Sequence, residues 1–218
     1  MKKLFFILIL LSSFSIIKVQ CQELVMTFST GVSPQSNPDI HYIFVNRATP
    51  RDEFTFDLAQ VKASYFLGVG AKYTLTNFFF AAEAQYNKRE YIYDILYTFP
   101  GFGRTEESQL MTETMNVMNL PLTLGVDLGI IDFTSGFLPQ IILSQSTELS
   151  SLTGYSQDLD WLRFGWHSGV AANIGEMRIG VSMQMDFNNY ADHAYIREQN
   201  LALQGRPTRL LANLSYQF

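Results

Sequence analysis

Two residues with the chemistry of a nucleophile and a base stand side by side in the stretch WHSG, Trp166 to Gly169. Ser168 could serve as the nucleophile and His167 as its base, which requires about 3 Å between their side-chain heavy atoms. Neighbours on a β-strand point to opposite faces, so an extended chain separates the two side chains. If this stretch is a strand, it holds no dyad. The sequence therefore predicts no catalytic residues and no enzymatic activity.

The other histidines, His41 and His193, fall in different predicted loops. Asp192 precedes His193, but no further ligand follows at a spacing typical of metal sites. We interpret Asp192 and His193 as a solvated loop pair. The sequence predicts neither a metal site nor a cofactor.

Alternation of apolar and polar residues predicts the elements that position these side chains. Leu210, Ala212, Leu214, Tyr216 and Phe218 share one face of the last segment, with polar residues between them. The same period of two recurs in eight segments of about ten residues. They are residues 24–32, 64–74, 78–87, 118–128, 136–144, 162–174, 177–187 and 209–218.

The connections between these strands alternate in length. Short turns are expected at 74–77, 129–132 and 175–176, and long loops at 33–62, 88–115, 145–160 and 188–208. This is typical of outer-membrane barrels. We predict an all-β, eight-stranded antiparallel transmembrane β-barrel with meander topology, short periplasmic turns and long extracellular loops. Pro121 and Pro139 predict bulges or bends in the fourth and fifth strands, because proline donates no ladder hydrogen bond.

The first 21 residues predict a secretory signal peptide. Lys2 and Lys3 precede an apolar run that is shorter than the ~20 residues of a membrane-spanning helix. Cleavage between Cys21 and Gln22 would leave the barrel domain, residues 22–218, in the outer membrane of a Gram-negative bacterium; a lipid-attached Cys21 is the minor alternative. The whole chain has a net charge of −5, and the signal peptide removes only basic residues, so nucleic acid is not an expected partner.

The apolar face of the predicted strands is expected to contact lipid. Its leucines and phenylalanines exceed the volume of a closed eight-stranded interior, whereas the opposite face is rich in glycine and short polar groups. Tyr65 and Tyr73 are eight residues apart on the apolar face, as are Phe78 and Tyr86, which matches aromatic girdles at the two membrane edges. Outer-membrane lipid is thus the expected surrounding.

The opposite face carries charged residues that would project into the lumen. They are Lys72, Glu83, Asp127, Arg163, Arg178, Asp186 and Arg209. A barrel of eight strands has no aqueous channel, so these groups are predicted to pair as a structural network. A proton or ion path is the alternative, and no pore is expected.

The second long loop is rich in aromatic residues. They are Tyr91, Tyr93, Tyr97, Phe99 and Phe102. One interpretation is a hairpin that extends beyond the membrane and is stabilised by cross-strand aromatic pairs. The other is a docking surface for a second protein, because aromatic side chains often anchor interfaces.

Three segments resemble the PorT-like outer-membrane β-barrel family of Bacteroidota. They are MNLPLTLGVDLG, LRFGWHSGVAANIGEMRIGVSMQMDFNNY and TRLLANLSYQF, and the resemblance covers most of the chain after residue 21. Membership implies insertion by the barrel-assembly machinery, with Tyr216 and Phe218 of the terminal strand as the recognition signal. The founding members are linked to secretion across the outer membrane and to gliding, so partners in a surface or secretion complex are expected.

These observations predict a non-enzymatic barrel that serves as an anchor or component of a cell-surface or secretion assembly. Two alternatives stay open: an outer-membrane enzyme that modifies lipid A, and a binder of small ligands at the extracellular loop rim. A catalytic pair in the folded chain would favour the enzyme, and a concave pocket among the loops would favour the binder.

Overall fold

The structure is a computed structural model that describes residues 23–38, 40–45, 53–99, 105–152, 154–196, 199–201, 203 and 205–218. The predicted signal peptide lies outside the described residues. Within them, no α-helix is long and apolar enough to cross a membrane.

The described residues form fourteen β-strands and one short 3₁₀ helix. The strands are β1 (Glu23–Ser33), β2 (Ile40–Val45), β3 (Glu53–Val61), β4 (Ser64–Leu75), β5 (Phe78–Phe99), β6 (Thr105–Asn119), β7 (Leu122–Asp127), β8 (Ile131–Thr147), β9 (Tyr155–Gln157), β10 (Leu162–Ile174), β11 (Met177–Asp186), β12 (Ala194–Ile196), β13 (Gln199–Asn200) and β14 (Thr208–Gln217). The 3₁₀ helix, Glu148–Ser151, follows β8.

Eight antiparallel wall strands close into a barrel with meander topology, which confirms the predicted fold. We call these wall strands staves; they are β1, β4, β5, β6 together with β7 as one interrupted strand, β8, β10, β11 and β14. Each pairs with the next along the chain, and β14 closes the barrel against β1, with Thr27 opposite Gln217 and Val32 opposite Ala212. Backbone hydrogen bonds of 3.0 Å in both directions between Met26 and Phe218 extend this closure to the last residue.

The three short turns lie at one end of the barrel, as predicted. Each contains a residue with positive φ, namely Thr76 at 54°, Gly129 at 92° and Gly175 at 62°. Tight turns between antiparallel strands need this backbone conformation, which glycine adopts without strain. We call this the short-turn end and the opposite one the long-loop end.

The two prolines meet at one interruption of the sheet. Pro121 separates β6 from β7 in the fourth stave, as the predicted bend requires. Pro139 stays within β8, and its carbonyl oxygen accepts a hydrogen bond of 2.8 Å from the Leu120 N–H. Pro139 has no backbone N–H to donate to the neighbouring strand. It therefore lies at the position where that strand is already interrupted between β6 and β7.

The apolar face of the barrel points outward and the glycine-rich face inward, as predicted. Outward side chains such as Val69, Phe80 and Val170 are about half exposed. Ile141 is an exception, since it is buried beside a bulge where the pairing of β8 with β6 shifts. Inside, Phe79 occupies the space that Gly125 leaves open, since a Cβ on Gly125 would lie 2.1 Å from its ring.

The sheet continues past the membrane at the long-loop end. Along β5 the exposed apolar positions end at Tyr86, and the next outward residue, Lys88, is charged and exposed. Beyond this level β3 pairs with β5, β2 pairs with β3, and β5 and β6 form a long hairpin. We call β2, β3, residues 88–99 of β5 and residues 105–116 of β6 the outer sheet.

A hydrophobic core lies between the outer sheet and the last two long loops. Its buried members include Phe56 and Leu58 from β3, Met111 from β6, and Leu201 and Leu203 from the last loop. This core covers the long-loop end of the barrel. The loops there are consequently a packed body rather than separate solvated segments.

Candidate functional site

The predicted lumen charges separate into groups, and two ion pairs lie towards the short-turn end. The Lys72 ammonium lies 3.6 Å from an Asp127 carboxylate oxygen and 4.2 Å from the centroid of the Phe79 ring. Arg178 donates two hydrogen bonds of 2.8 and 2.7 Å to Asp132. Asp132 was not among the predicted residues because the sequence placed it in a turn.

A second group forms a buried layer near the top of the barrel. Arg89 donates to Asp186 at 2.9 Å, to Asn119 at 3.0 Å and to Gln140 at 2.7 Å. Arg209 donates to Asp186 at 3.3 Å, and Gln140 also donates to this carboxylate. We call Arg89, Asn119, Gln140, Asp186 and Arg209 the upper lumen cluster. The sequence interpretation missed Arg89, although extending the inward alternation of Glu83 along β5 reaches it.

A third group joins the barrel to the last loop, and it is the candidate site. His193 Nε2 lies 2.8 Å from Glu113 Oε1, and His193 Nδ1 lies 3.5 Å from Asp192 Oδ1. Arg163 donates to the same Asp192 oxygen at 2.7 Å. Tyr93 Oη donates to Glu113 Oε2 at 3.0 Å. We call Tyr93, Glu113, Arg163, Asp192 and His193 the junction cluster.

The junction cluster corrects the interpretation of Asp192 and His193 as a solvated pair. His193 is 2 % exposed and Glu113 is fully buried. The sequence could not place them together, because 80 residues separate them along the chain. Packing of the last loop into the hydrophobic core places His193 in the interior. There it contacts Glu113, which faces inward from β6.

Opposing effects determine the pKa values in the junction cluster. Burial lowers the pKa of His193, but its hydrogen bonds with Asp192 and Glu113 outweigh burial and raise it above the usual value. Burial raises the pKa of Asp192, whereas His193 and Arg163 lower it by more, so the net shift is downward. Burial and the Glu113 carboxylate raise the pKa of Tyr93 well above its usual value. The resulting arrangement is an imidazole held between the carboxyl groups of Asp192 and Glu113, and the pKa shifts of His193 and Asp192 both favour their charged forms.

This arrangement has the groups of an acid–base site but no room for a substrate. The cavity beside His193 measures about 10 Å³, which is about enough for a single water molecule. In the described conformation the junction cluster therefore works as an ionic tether between β6, β10 and the last loop.

The WHSG stretch lies in β10 and does not form a dyad. His167 is buried in the lumen with its Nε2 3.3 Å from Thr123 Oγ1, and Ser168 is on the opposite face of the strand. Among the described residues, no group of three or more histidine, cysteine, aspartate or glutamate side chains could hold a metal ion.

The predicted docking loop is corrected in part. Tyr91 and Tyr93 are 5 % and 1 % exposed and point into the hydrophobic core, where Tyr93 stacks on Phe56 with ring centroids 4.8 Å apart. These residues therefore stabilise the hairpin and are unavailable to a partner. Tyr97 and Phe99 belong to the backbone of β5, but their side chains and all of Phe102 lie outside the described residues.

The last strand ends at the short-turn end as the sequence predicts. Tyr216 and Phe218 are exposed on the outer face, with ring centroids 6.2 Å apart. The Tyr216 hydroxyl donates a hydrogen bond to Glu176 of the third short turn. Their role as an assembly signal stays a prediction.

No model of a known protein family matches the chain, and no curated protein matches it. Among solved structures, it is similar to the outer membrane protease OmpT from Escherichia coli at 9 % identity, over 93 % of this chain and 99 % of that one, with a TM-score of 0.44. The prediction that the chain is not an enzyme is corrected, because a protease is found among the barrels it resembles and a missing Ser–His dyad excludes only one kind of chemistry. At this identity and TM-score, no residue role is transferred from the likeness.

Proposed function

We propose that this outer-membrane-type barrel anchors the outer sheet at the cell surface, where the sheet docks another protein of a surface or secretion assembly. The observation that supports the proposal best is the packed core behind the outer sheet. Fully buried side chains such as Phe56, Ile95 and Leu203 hold the sheet against the loops that cap the barrel. An ordered surface presents a partner with a preformed interface, so little entropy is lost on docking.

The outer face of the sheet offers a suitable anchor point. Leu110 of β6 is 63 % exposed and lies beyond the level of Lys88, where the surroundings are no longer lipid. Its cross-strand neighbour Asp94 accepts a hydrogen bond of 2.7 Å from Ser108. An exposed leucine beside fixed polar groups fits a protein interface better than a solvated surface. By contrast, the cavity of about 10 Å³ beside His193 gives no support to a small-ligand site there.

The resemblance to the PorT-like family supports the same proposal, because its founding members are linked to secretion. Under this proposal a cleaved signal peptide exports the chain, the barrel-assembly machinery inserts it, and lipid surrounds the wall. The partner is a protein exposed at the cell surface.

Cross-linking from introduced cysteines tests the proposal in intact cells. The sequence contains one cysteine, Cys21, which belongs to the predicted signal peptide. A cysteine in place of Leu110 is thus expected to be the reactive thiol of the exported chain. We expect one discrete cross-linked product with Leu110→Cys when a thiol-reactive bifunctional reagent is added to cells.

Ser156→Cys supplies the matched control. Ser156 is also exposed and belongs to β9, which pairs with β12 in a three-stranded sheet separate from the outer sheet. Both variants should migrate as folded, heat-modifiable barrels. Products of equal yield from both positions, or from neither, would contradict docking on the outer sheet.

A further inference from the structure

The lumen contains a polar cavity below the upper lumen cluster. It measures about 100 Å³, and residues from eight strands of the barrel line it, including Glu83 and Gln85 of β5, Gln184 of β11 and Asn213 of β14. Liquid water occupies about 30 Å³ per molecule, so this space admits a few molecules or a partly hydrated ion.

Oxygen atoms without a partner line this cavity. Gln85 is 7 % exposed and Gln184 is 4 % exposed, and the Oε1 atom of each lacks a hydrogen-bond partner among the described residues. Asn213 Oδ1 is buried and likewise unpaired, while the Asn213 amide donates to Ser182 at 3.1 Å. A buried acceptor without a partner is destabilising by about 1–3 kcal/mol, so several around one cavity indicate an occupant.

Glu83 is the carboxylate on the cavity wall, and Lys72 and Arg178 line the same cavity but are each paired with an aspartate. Glu83 accepts hydrogen bonds from Ser29 and from the Gln85 side chain, and no salt bridge joins it to a cation of the described residues. Lys72 lies beside Asp127, and Arg178, though close enough to act on Glu83, is held in two hydrogen bonds by Asp132. Glu83 therefore has no ion-pair partner of its own among the described residues.

Gly68 leaves room for the side chains around this carboxylate. A Cβ built on Gly68 would lie 2.2 Å from Glu83 Oε1, 2.7 Å from Ser29 Oγ and 3.0 Å from Gln85 Cγ. Three polar side chains therefore converge over a position that has no side chain of its own. Gln184 and Asn213 face them from β11 and β14 across the same cavity.

We propose that this cavity binds one alkali cation, Na⁺ or K⁺, with Glu83 as its charged ligand and the amide oxygens of Gln85, Gln184 and Asn213 as neutral ligands. Hard cations take carboxylate, amide and water oxygens. One carboxylate without an ion-pair partner suits a monovalent cation, whereas Ca²⁺ sites generally combine several carboxylates. The cation enters from the short-turn end, where the side chains of Asp127 and Arg178 are 26 % and 19 % exposed.

Equilibrium unfolding of the barrel in detergent micelles tests the proposal. Urea titrations are run in NaCl, KCl or N-methylglucamine chloride at constant ionic strength, the last cation being too large for the cavity. A ligand that binds the folded state alone lowers the unfolding equilibrium constant about tenfold for each tenfold rise in its concentration above Kd. We expect this dependence for Na⁺ or K⁺. We also expect added protein to broaden the ²³Na resonance.

Three variants decide the outcome. Glu83→Gln keeps an acceptor for Ser29 but removes the charge, so the cation dependence should disappear. Gln184→Met removes one neutral ligand at similar size and should weaken the dependence even if Glu83→Gln does not fold. Glu176→Gln, the same change at an exposed carboxylate of the short-turn end, should keep the full dependence. Wild-type stability independent of Na⁺ and K⁺ would overturn the proposal and leave only water in the cavity. An undiminished dependence in both lumen variants would place any cation elsewhere.

Discussion

At the scale of single residues, the lumen charges differ in how much each contributes to stability. The Asp186 side chain is 4 % exposed and lies between two arginines, Arg89 at 2.9 Å and Arg209 at 3.3 Å. Asp127 is partly exposed and lies 3.6 Å from Lys72. Removing one partner of a buried ion pair leaves a charge that neither water nor protein neutralises, whereas a pair that water reaches on one side loses less.

Asp186→Asn is therefore expected to lower the free energy of unfolding by about 3–5 kcal/mol, because it leaves two arginines buried without a carboxylate. Asp127→Asn is the matched change and is expected to lower it by less, because Asp127 is 26 % exposed and Lys72 also lies over the Phe79 ring. Urea unfolding in micelles measures both. Similar losses for the two variants would show that the upper lumen cluster is no more stabilising than the rim pair.

Single residues also show where sequence reasoning succeeds and fails. Alternation placed Asp186 and Arg209 in the lumen because a strand has a strict period of two. The same rule, extended along β5, reaches Arg89, so that residue was within reach of the sequence. His193 was not, because a loop has no period and its burial depends on Glu113 and a core assembled from distant segments.

At the scale of elements, the staves were predictable and the outer sheet was not. Each stave shows its own alternation, and its turn has a recognisable local sequence. The pairing of β3 with β5 joins residues about 40 apart, such as Phe56 with Ile95, and leaves no local signal. β5 itself runs without a break from the membrane into the outer sheet, so its period does not mark where the lipid ends.

The facing of the staves makes a second prediction. Val170 of β10 is 43 % exposed on the outer wall, while its neighbour Ala171 is 4 % exposed and faces the lumen. Val170→Arg should lower the free energy of unfolding from lipid bilayers by about 2–4 kcal/mol, the cost of a cation near the bilayer midplane. Ala171→Ser should change it by less than about 1 kcal/mol, since the hydroxyl enters a polar lumen. Equal losses in a folding titration would contradict the assigned faces.

The junction cluster ties the last loop to the barrel, and its stability should depend on pH. Burial lowers the pKa of His193, but Asp192 and Glu113 raise it by more, so the pKa in the folded state is above its usual value. A group with a raised folded pKa stabilises fully below its unfolded value of about 6.5 and loses this contribution as pH rises through the folded pKa. The tether should thus be strongest in mildly acidic solution and weaken in alkaline solution.

Wild type and His193→Gln are compared over pH 5.5–9. Both proteins keep the other members of the junction cluster, Glu113, Asp192, Arg163 and Tyr93, so the difference between them reports the imidazole. Hydrogen exchange of the Ala194 and Leu201 amides, which are in the tethered loop, reports its opening. Ala194 N–H donates to Ala191 and Leu201 N–H to Ala194, at 3.0 and 2.8 Å. We expect the wild-type protection to exceed that of the variant below pH 6.5 and to approach it at high pH. A difference that stays constant with pH would mean that the imidazole charge does not hold the loop.

At the scale of the whole molecule, the barrel and the capped outer sheet have opposite environments. The wall is apolar and surrounds a polar lumen, whereas the outer sheet has an apolar core and a largely polar outer face. This inversion follows because the surroundings change from lipid to water at the level of Lys88. The two ends of the molecule therefore differ, and the orientation of the barrel in the membrane determines which end a partner can reach.

We expect the long-loop end to face the outside of the cell. Asn37→Cys at the long-loop end and Glu176→Cys in the third short turn replace exposed residues at opposite ends of the barrel. A membrane-impermeant maleimide should label Asn37→Cys in intact cells and Glu176→Cys only after the outer membrane is permeabilised, because short turns of such barrels face the periplasm. Labelling of both after permeabilisation is the control for thiol reactivity. The reverse pattern in intact cells would place the outer sheet in the periplasm, and its docking partner would then be a periplasmic protein. The lumen cation would in that case enter from outside the cell.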